Sequence, residues 1–358
     1  MTAALTPDAA ARPAGPASRI AVIGPHILDV LGRPVEAIPV GQGSVRLAEI
    51  RATAAGTAAG TGVDLAKLGA QVSSFGAVGT DLLADVLLAV LASYGIDTGG
   101  LVRTAGAQTS ATILPIRPNG ERPALHVPGA TRLLQLSDLD TAELAGFDAV
   151  VLGGPDALVG LSATDLGAIV AAARSGGALV AIDVLHPGSE RDFERISAAL
   201  AGADWFWPNA DQLLALTGRT DVEQAVGDVL ALGTSGVAVT LGADGCVVTG
   251  TEGRLHHVPA IAVDVVDTTG CGDAFDAGML TGLLLGCDPL DAAWLGVACG
   301  SLVATGLGSD AGITDLDQVL GVLRAANPEV ASRIAASRAA TSTAAVSTAV
   351  ISTGERVP

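Results

Sequence analysis

One stretch of the sequence decides the fold: Asp267-Thr268-Thr269-Gly270-Cys271-Gly272-Asp273-Ala274-Phe275. An apolar pattern with helical spacing continues from it through Leu280 to Leu285, so a glycine-rich turn opens directly into a buried helix. The N–H groups of residues 270–273 would lack partners within the helix, at the end where the helix dipole favours negative charge. Because glycine lets a phosphate approach the backbone, the stretch predicts an anion-binding turn.

Asp273 falls in the first turn of this predicted helix. An acidic residue there often only caps the helix, and the local features by themselves favour that interpretation. A carboxylate beside a bound phosphate can also act as a general base toward a hydroxyl group. The nine residues alone leave both interpretations open.

Strand and helix patterns alternate regularly from about residue 147 onward. Short apolar strands are separated by helical patterns, which predicts an α/β fold with a doubly wound, mostly parallel sheet flanked by helices on both faces. An earlier strand ends at Gly24. Residues 33–50 and 109–127 are short, mixed and interrupted by Pro and Gly, which predicts a small β-sheet outside the main fold.

The two ends of the chain differ from this regular middle part. Residues 1–18 are rich in Ala and Pro, and residues 329–358 are mostly Ala, Ser, Thr and Val without an obvious apolar face. We expect a disordered N-terminal tail, one domain at 19–328, and a weakly ordered, low-complexity C-terminal tail. Residues 292–309 are uncharged but contain glycines, so we expect a buried helix and a turn there and no membrane span.

Composition limits the partners and the compartment. The 37 acidic residues against 19 basic ones give a net charge of −18, so neither nucleic acid nor an anionic membrane is an expected partner. No secretory signal is visible in residues 1–19, and the four cysteines lack paired spacing, so we expect a cytoplasmic protein. The chain has one lysine, Lys67, outside any phosphate-loop motif, so P-loop and protein-kinase mechanisms are excluded.

Several motifs, in order, resemble those of the ribokinase-like (PfkB-type) carbohydrate and nucleoside kinases. Residues 267–275 are similar to the family signature D-T-x-G-A-G-D-x-F, with Cys271 in place of the usual Ala. The other segments that resemble family motifs lie at 24–29, 55–60, 76–81, 120–122, 128–130, 208–209 and 240–245. One such motif is weak evidence, but this many in the expected order, across about residues 19–325, is strong evidence.

The resemblance implies ATP-dependent phosphorylation of a hydroxyl on a sugar or sugar-like molecule, beneath a lid formed by about residues 33–50 and 109–127. Asp273 would be the general base. The N–H groups of Gly270, Cys271 and Gly272 would stabilise the charge of the transferred phosphoryl group. The resemblance also assigns the binding residues: ATP would be held by Asn209, Thr240, Gly242 and Gly245, and the substrate by Asp29, Gly56 and Gly60.

Metal ions and a second subunit also follow from the resemblance. Mg²⁺ would bridge the ATP phosphates and keep several of its waters. Asp267, with carbonyl groups near Val303 and Gly306, resembles a site for a monovalent cation such as K⁺. In this family the lids often pair, so we expect a homodimer through the lid.

Three departures from the family pattern concern the site. The family's N-x-x-E motif has Glu where this chain has Gln212, although Asp211 is adjacent. Gly60 replaces a substrate-binding Asn, which we expect to enlarge the pocket. The strand end at 153–155 lacks the acidic residue that ribokinases use on the sugar. Together these departures argue against ribose itself.

Two further side-chain types bear on the site. If one lid arginine points inward, a sugar phosphate becomes a candidate substrate, although such arginines more often pair with surface carboxylates. The arginines concerned are Arg46, Arg51, Arg103, Arg117 and Arg122. For Cys271 we expect a pKa lowered by the helix N-terminus and a role as an Ala substitute, not as a nucleophile.

Three alternatives remain beside a sugar kinase. A nucleoside kinase of the same family is one, because the motifs do not distinguish the two substrates. A catalytically degenerate protein that only binds nucleotide or sugar is another, suggested by Gln212 and Gly60. A dinucleotide-dependent oxidoreductase is the third, but Pro25 after Gly24 breaks the G-x-G-x-x-G that it needs.

Overall fold

The computed structural model describes the backbone of residues 18–353 and the side chains of residues 18–342. The expected N-terminal tail at 1–17 lies outside the described residues. The strands are β1 Arg19–Ile23, β2 Ile27–Arg33, β3 Glu49–Ala55, β4 Gln71–Val78, β5 Asp97–Arg103, β6 Ala111–Pro115, β7 Leu125–Val127, β8 Ala149–Gly153, β9 Leu179–Asp183, β10 Trp205–Phe206, β11 Gly236–Thr240, β12 Cys246–Thr249 and β13 Leu255–Val258. The α-helices are α1 Thr57–Lys67, α2 Leu82–Ser93, α3 Ala163–Ser175, α4 Glu190–Leu200, α5 Ala210–Thr217, α6 Val222–Leu232, α7 Cys271–Leu284, α8 Pro289–Val303, α9 Leu316–Ala326 and α10 Pro328–Thr353.

The larger sheet has the strand order β13-β12-β11-β10-β9-β8-β1-β4-β5. Its strands from β11 to β5 pair in parallel, and the two pairings at the other edge, β11 with β12 and β12 with β13, are antiparallel. Both faces are buried, since in β1 Ile20 and Val22 belong to one core and Ala21 and Ile23 to the other. Helices α1, α2 and α7–α10 cover the first face, and α3–α6 cover the second. The predicted doubly wound fold is confirmed.

The smaller sheet has the order β3-β2-β6-β7. It contains part of both segments assigned to the lid, but the boundaries differ from those predicted. β2 begins at Ile27, six residues before the predicted lid, and residues 34–48 form no strand. The alternation of side chains puts Thr53, Asp29, Thr112 and His126 in one row across this sheet, because Asp29 pairs with both threonines and Thr112 pairs with His126.

The C-terminal segment corrects one expectation. Residues 328–353 form helix α10 and not a weakly ordered tail. Val330, Ala331 and Ile334 are at most 3% exposed and pack in the first core, and Arg333 makes two hydrogen bonds to Asp291. The low-complexity composition wrongly predicted a weakly ordered tail, because Ala is the strongest helix former and three apolar residues on one face suffice to pack a helix against the domain.

The apolar segment at 292–309 comprises all but the first three residues of the buried helix α8 and a following turn, as predicted. Within the described part of the chain, no helix is both long and apolar enough to cross a membrane. The four cysteines, all described, are free thiols.

Candidate active site

The N-terminus of α7 forms the predicted glycine turn. Gly270 caps the helix with φ +79°, the left-handed region that glycine tolerates best. A Cβ at this position would lie 2.5 Å from the Cα of Ser309, so no larger residue fits. The N–H groups of the first turn have no carbonyl one turn earlier in the helix, although the Cys271 N–H makes a long bond, 3.4 Å, to the Thr268 carbonyl.

Two cavities meet at this turn. The first, of about 530 Å³, is here called the polar cavity, and its wall includes Asp29, Gly56, Asp183, Asn209 and Asp273. The second, of about 480 Å³, is called the apolar cavity, and its wall includes Gly242, Gly245, Ile261, Phe275 and Val297. Both cavities contact Thr240, Thr268 and Gly272. An elongated ligand can therefore lie across the α7 N-terminus with one end in each cavity.

Asp273 lies at this junction and is half-buried. Burial raises the pKa of its carboxyl to about 6, while the Arg122 guanidinium acts in the opposite direction. A carboxylate with this pKa is ionised at neutral pH and basic enough to accept a proton from a hydroxyl group. General-base chemistry requires a carboxyl group in such an environment, whereas a carboxylate that only caps a helix does not need a raised pKa.

Gly60 corrects a second expectation. The space left by the missing side chain is not open, because the Asp273 carboxylate fills it: a Cβ on Gly60 would lie 2.3 Å from Asp273 Oδ2. Gly60 is buried in α1 and takes no part in the wall of the polar cavity. Because Gly60 has no side chain, the Asp273 carboxylate can lie against it, and the pocket is not enlarged.

The other predicted substrate residues do line the polar cavity. Burial raises the pKa of Asp29, on β2, to about 7, against the lowering effects of Thr112 and Arg122. Gly56 has φ +86°, and a Cβ there would lie 2.7 Å from the Pro25 carbonyl. Thr57 Oγ1 and Trp207 Nε1, in the same wall, are buried without a hydrogen-bond partner among the described residues. Unsatisfied polar atoms of this kind favour a ligand rich in polar groups.

The predicted nucleotide residues divide between the two cavities. Thr240, Gly242 and Gly245 line the apolar cavity, and a Cβ on Gly245 would come 2.0 Å from the Val258 carbonyl. Asn209 lies in the polar cavity instead. There it caps α5, accepting a hydrogen bond from the Gln212 N–H at 2.9 Å.

The Gln212 amide forms hydrogen bonds within the protein through both its oxygen and its nitrogen. Its Oε1 accepts from the Asn209 N–H at 2.8 Å, and its Nε2 donates to the Val184 carbonyl at 2.7 Å. A carboxylate could take the first bond but not donate the second. Asp211, the possible replacement, is exposed and does not line the polar cavity.

Asp267 is completely buried and lines neither cavity. One of its carboxylate oxygens accepts from the N–H and hydroxyl of Thr269, and the other from the Gly308 N–H at 2.9 Å. It therefore connects the anion-binding turn to the loop after α8. The expected lowering of the Cys271 pKa was wrong in direction: burial raises the pKa of this thiol to about 12, against the lowering effect of the Arg122 guanidinium.

The strand end at 153–155 lacks an acidic side chain because α1 packs against it. A Cβ on Gly153 would lie 2.7 Å from Thr57 Oγ1. The nearest acid, Asp156, turns to the next loop and accepts the N–H groups of Leu185 and His186 at 2.8 and 3.0 Å.

One of the five lid arginines points inward. Arg51, Arg103 and Arg117 pair with Asp310, Asp85 and Glu121, as expected of surface arginines. Arg122 instead lines the polar cavity, and its Nε donates to Thr268 Oγ1 at 3.3 Å. Arg46 is exposed.

Three wall residues were not singled out from the sequence as ligand-binding. Asp183 is the last residue of the apolar strand β9, and the carboxyl end of a parallel strand is a position where such sheets present functional groups, so this signal was available in the sequence. His126 and His186 carry no comparable signal in the sequence. His126 lies beside Thr112, to which its Nδ1 is hydrogen-bonded at 3.0 Å.

Comparison with known proteins agrees with this geometry. Residues 17–316 match the model of the pfkB family carbohydrate kinases. The chain is 30% identical to fructokinase-1 of Oryza sativa subsp. japonica over 293 residues, which covers 76% of this chain and 88% of the relative. It is 30% identical to the ATP-dependent ribose-1-phosphate kinase of Halopiger xanaduensis, over 75% and 86% of the two chains.

Solved structures agree on the fold. A putative ribokinase from Agrobacterium tumefaciens superposes with a TM-score of 0.74 at 23% identity, covering 86% of this chain and 98% of that one. The ribokinase of Arabidopsis thaliana complexed with ribose and ATP superposes with a TM-score of 0.73 at 22% identity, covering 86% and 99%. The chain therefore belongs to the pfkB family of carbohydrate kinases, enzymes that transfer a phosphoryl group to a hydroxyl.

Proposed function

We propose that this protein transfers the γ-phosphoryl group of ATP to a hydroxyl of a sugar or sugar-like small molecule, with Asp273 as general base. One observation carries the proposal: Asp273 and the anion-binding turn stand where the polar and apolar cavities meet. The apolar cavity suits a purine base, and the polar cavity suits a molecule with several hydroxyl groups. The phosphate chain would then cross the N-terminus of α7.

The chemistry follows from the positions of these groups. The substrate hydroxyl would be bound beside Asp273, which accepts its proton as the oxygen attacks the phosphorus. The backbone N–H groups of residues 270–272 would stabilise the charge on the transferred group, and Arg122 would add a positive charge from the lid side. Asp29 would orient the substrate through other hydroxyl groups.

Mg²⁺ fits this site as a cofactor carried by the nucleotide. Among the described residues no group of three or more His, Cys, Asp or Glu side chains could hold a metal ion. A metal bound mainly by ATP phosphates and waters does not require such a group. When bound, Mg²⁺ would neutralise phosphate charge. Asp183, in the wall of the polar cavity, would accept hydrogen bonds from the waters of the ion.

A monovalent cation is less well supported. Asp267 already has a hydrogen-bond partner on each carboxylate oxygen, and the carbonyl oxygen of Val303 accepts the Gly306 N–H. We therefore derive no step through K⁺. Comparing turnover in potassium and in tetramethylammonium salts at equal ionic strength tests the dependence.

The substrate class rests on the unsatisfied donors in the polar cavity. Thr57 Oγ1 and Trp207 Nε1 would each gain a partner from a hydroxyl-rich ligand. The related fructokinase and ribose-1-phosphate kinase are both named for sugar substrates. A nucleoside kinase is the second candidate, because one solved neighbour is a nucleoside kinase from Methanocaldococcus jannaschii.

A homodimer through the lid is part of the proposal. Ile50, Ile113, Leu125 and Val127 are 42–67% exposed, and the strand register puts them on the outer face of the smaller sheet. An exposed apolar face of this kind is typical of an interface. Light scattering on the wild type and on Ile113→Glu tests it; a monomeric wild type would contradict it.

The deciding experiment measures ADP release from Mg·ATP across sugars, sugar phosphates, sugar acids and nucleosides. Asp273→Asn is measured beside the wild type. We expect one substrate to stimulate ADP release and the variant to lose several orders of magnitude in kcat. If ATP raises the melting temperature but nothing in the panel is phosphorylated, the protein is a binding protein and the proposal fails.

A further inference from the structure

A third cavity, of about 260 Å³, opens beside the polar cavity and is here called the side cavity. Its wall includes Ile27, His126, Arg132, Asp156, Leu185 and His186. Four of these, Ile27, His126, Leu185 and His186, also line the polar cavity. The two cavities therefore adjoin each other, so the far end of a substrate bound beside Asp273 would point toward the side cavity.

The side cavity contains an imidazole held by a buried carboxylate. His186 Nδ1 lies 3.1 Å from Asp156 Oδ2, and the Asp156 side chain is only 4% exposed while that of His186 is 57% exposed. The hydrogen bond to Asp156 raises the pKa of His186. With Nδ1 bonded to Asp156, protonated His186 has its Nε2–H left as a charged donor.

A guanidinium and a second imidazole belong to the same wall. The guanidinium of Arg132 makes no hydrogen bond or ion pair with any other described residue, so its five donors remain available. His126 is hydrogen-bonded to Thr112 through Nδ1, and its pKa is lowered by burial and by the charge of His186. A negative group between the two imidazoles would remove their mutual repulsion.

The two adjoining cavities differ in their polar groups. The polar cavity presents the acidic side chains of Asp29, Asp183 and Asp273. Burial raises the pKa of each of them, and such groups suit the hydroxyl groups of a ligand. In the side cavity the only carboxylate, Asp156, is used by the N–H groups of the loop after β9. A ligand that spans both would therefore have hydroxyl groups at one end and negative charge at the other.

We propose that the substrate carries an anionic substituent, a phosphate or a carboxylate, which the side cavity binds through His186, Arg132 and His126. This proposal rests on the proposed kinase function and specifies its substrate class. The side cavity thereby selects sugar phosphates or sugar acids over the neutral parent sugars. These three residues contact the far end of the substrate and not the reacting atoms.

Steady-state ADP release tests the proposal with matched pairs, ribose 5-phosphate against ribose and gluconate against glucose, extended to the other members of each class. The wild type is expected to have a kcat/KM at least tenfold higher for one anionic class than for its neutral parents. His186→Gln and Arg132→Gln should each raise KM for that class about tenfold or more, with kcat changed less than threefold. His256→Gln, on the distant β13, is the control and should change neither.

The pH dependence separates binding from a merely structural role. KM for the anionic substrate should rise as the pH is raised through the pKa of His186, because only its protonated form carries the charge. Asp156, Asp192 and His126 are the titratable groups that act on this imidazole. The rise should disappear in His186→Gln, and KM for neutral substrates should not follow it.

The outcomes distinguish the two proposals. If neutral substrates are preferred, or if both variants leave KM for the anionic class unchanged, the side cavity does not bind an anion, although the kinase function stands. If nothing is phosphorylated, the kinase function fails, and calorimetry with inorganic phosphate then decides separately. Phosphate binding that is lost in Arg132→Gln would support the anion site, and no binding to the wild type would overturn it.

Discussion

Replacing Gly60 by alanine tests how the catalytic carboxylate is positioned. The new methyl carbon would lie 2.3 Å from Asp273 Oδ2, 2.7 Å from its Cγ and 3.1 Å from its Cβ. Ordinary contact needs about 3.5 Å, so the carboxylate must move by about 1 Å or rotate. Since α1 and α7 are packed against each other in the same core, rotation of the Asp273 side chain is the easier response.

The magnitude follows from two opposing effects. Alanine in a helix interior is favoured over glycine by about 1 kcal/mol. Overpacking in a filled site costs about 1–3 kcal/mol, so we expect Gly60→Ala to lower the free energy of unfolding by up to about 2 kcal/mol. A general base displaced by about 1 Å should lower kcat about 100-fold.

The assay is ADP release under saturating Mg·ATP and the substrate found in the panel, together with urea unfolding. Gly321→Ala is the matched control, because Gly321 is also inside a helix, α9, and no atom lies within 4 Å of the place that its new methyl carbon would take. It should gain about 1 kcal/mol in stability and keep its kcat. In an Asp273→Ala background, Gly60→Ala should no longer destabilise.

One result would refute this reasoning. If Gly60→Ala keeps kcat within twofold and is as stable as Gly321→Ala, the Asp273 carboxylate does not lie against Gly60. The kinase function would survive that result, but the account of how the base is oriented would not.

Three further predictions concern pH, the cap of α5 and the C-terminal helix. Asp273 must be ionised to act as a base, and its pKa in the free protein is raised to about 6, so kcat/KM should fall as the pH drops through about 6. Because burial disfavours the charged carboxylate, Asp273→Asn should unfold at a higher urea concentration than the wild type at pH 8, and an equal or lower midpoint would contradict this. Gln212→Glu should keep the hydrogen bond from the Asn209 N–H but lose the one to the Val184 carbonyl. This should lower the free energy of unfolding by about 1–3 kcal/mol in urea titrations at pH 8, and unchanged stability would show that the Gln212 side chain does not donate a hydrogen bond to Val184. Ile334→Ala should cost about 2–4 kcal/mol in the same titration because Ile334 is fully buried, and an unchanged midpoint would mean that α10 does not pack on the domain.

Features that depend on short stretches of chain could be predicted from the sequence. Alternating apolar strands and helical patterns predicted the doubly wound sheet, and residues 267–275 predicted the glycine turn that opens α7. Both signals are local, because strand and helix periods and the need for glycine at a left-handed position are written in adjacent residues. The order of the motifs along the chain then identified the family. The prediction for residues 329–342 was wrong because the few apolar residues that this segment buries can be recognised only once the surface that they cover is known.

Only the tertiary structure decided how distant residues divide the site between them. The sequence shows that Gly60 and Gln212 differ from the family pattern. It does not show that the Asp273 carboxylate fills the space beside Gly60, or that the Gln212 amide donates to the Val184 carbonyl. It also contains His126 and His186 without indicating that they share a cavity. These are contacts between segments far apart in the chain, and their geometry is set by close packing of helices and loops around the sheet, which no local pattern encodes.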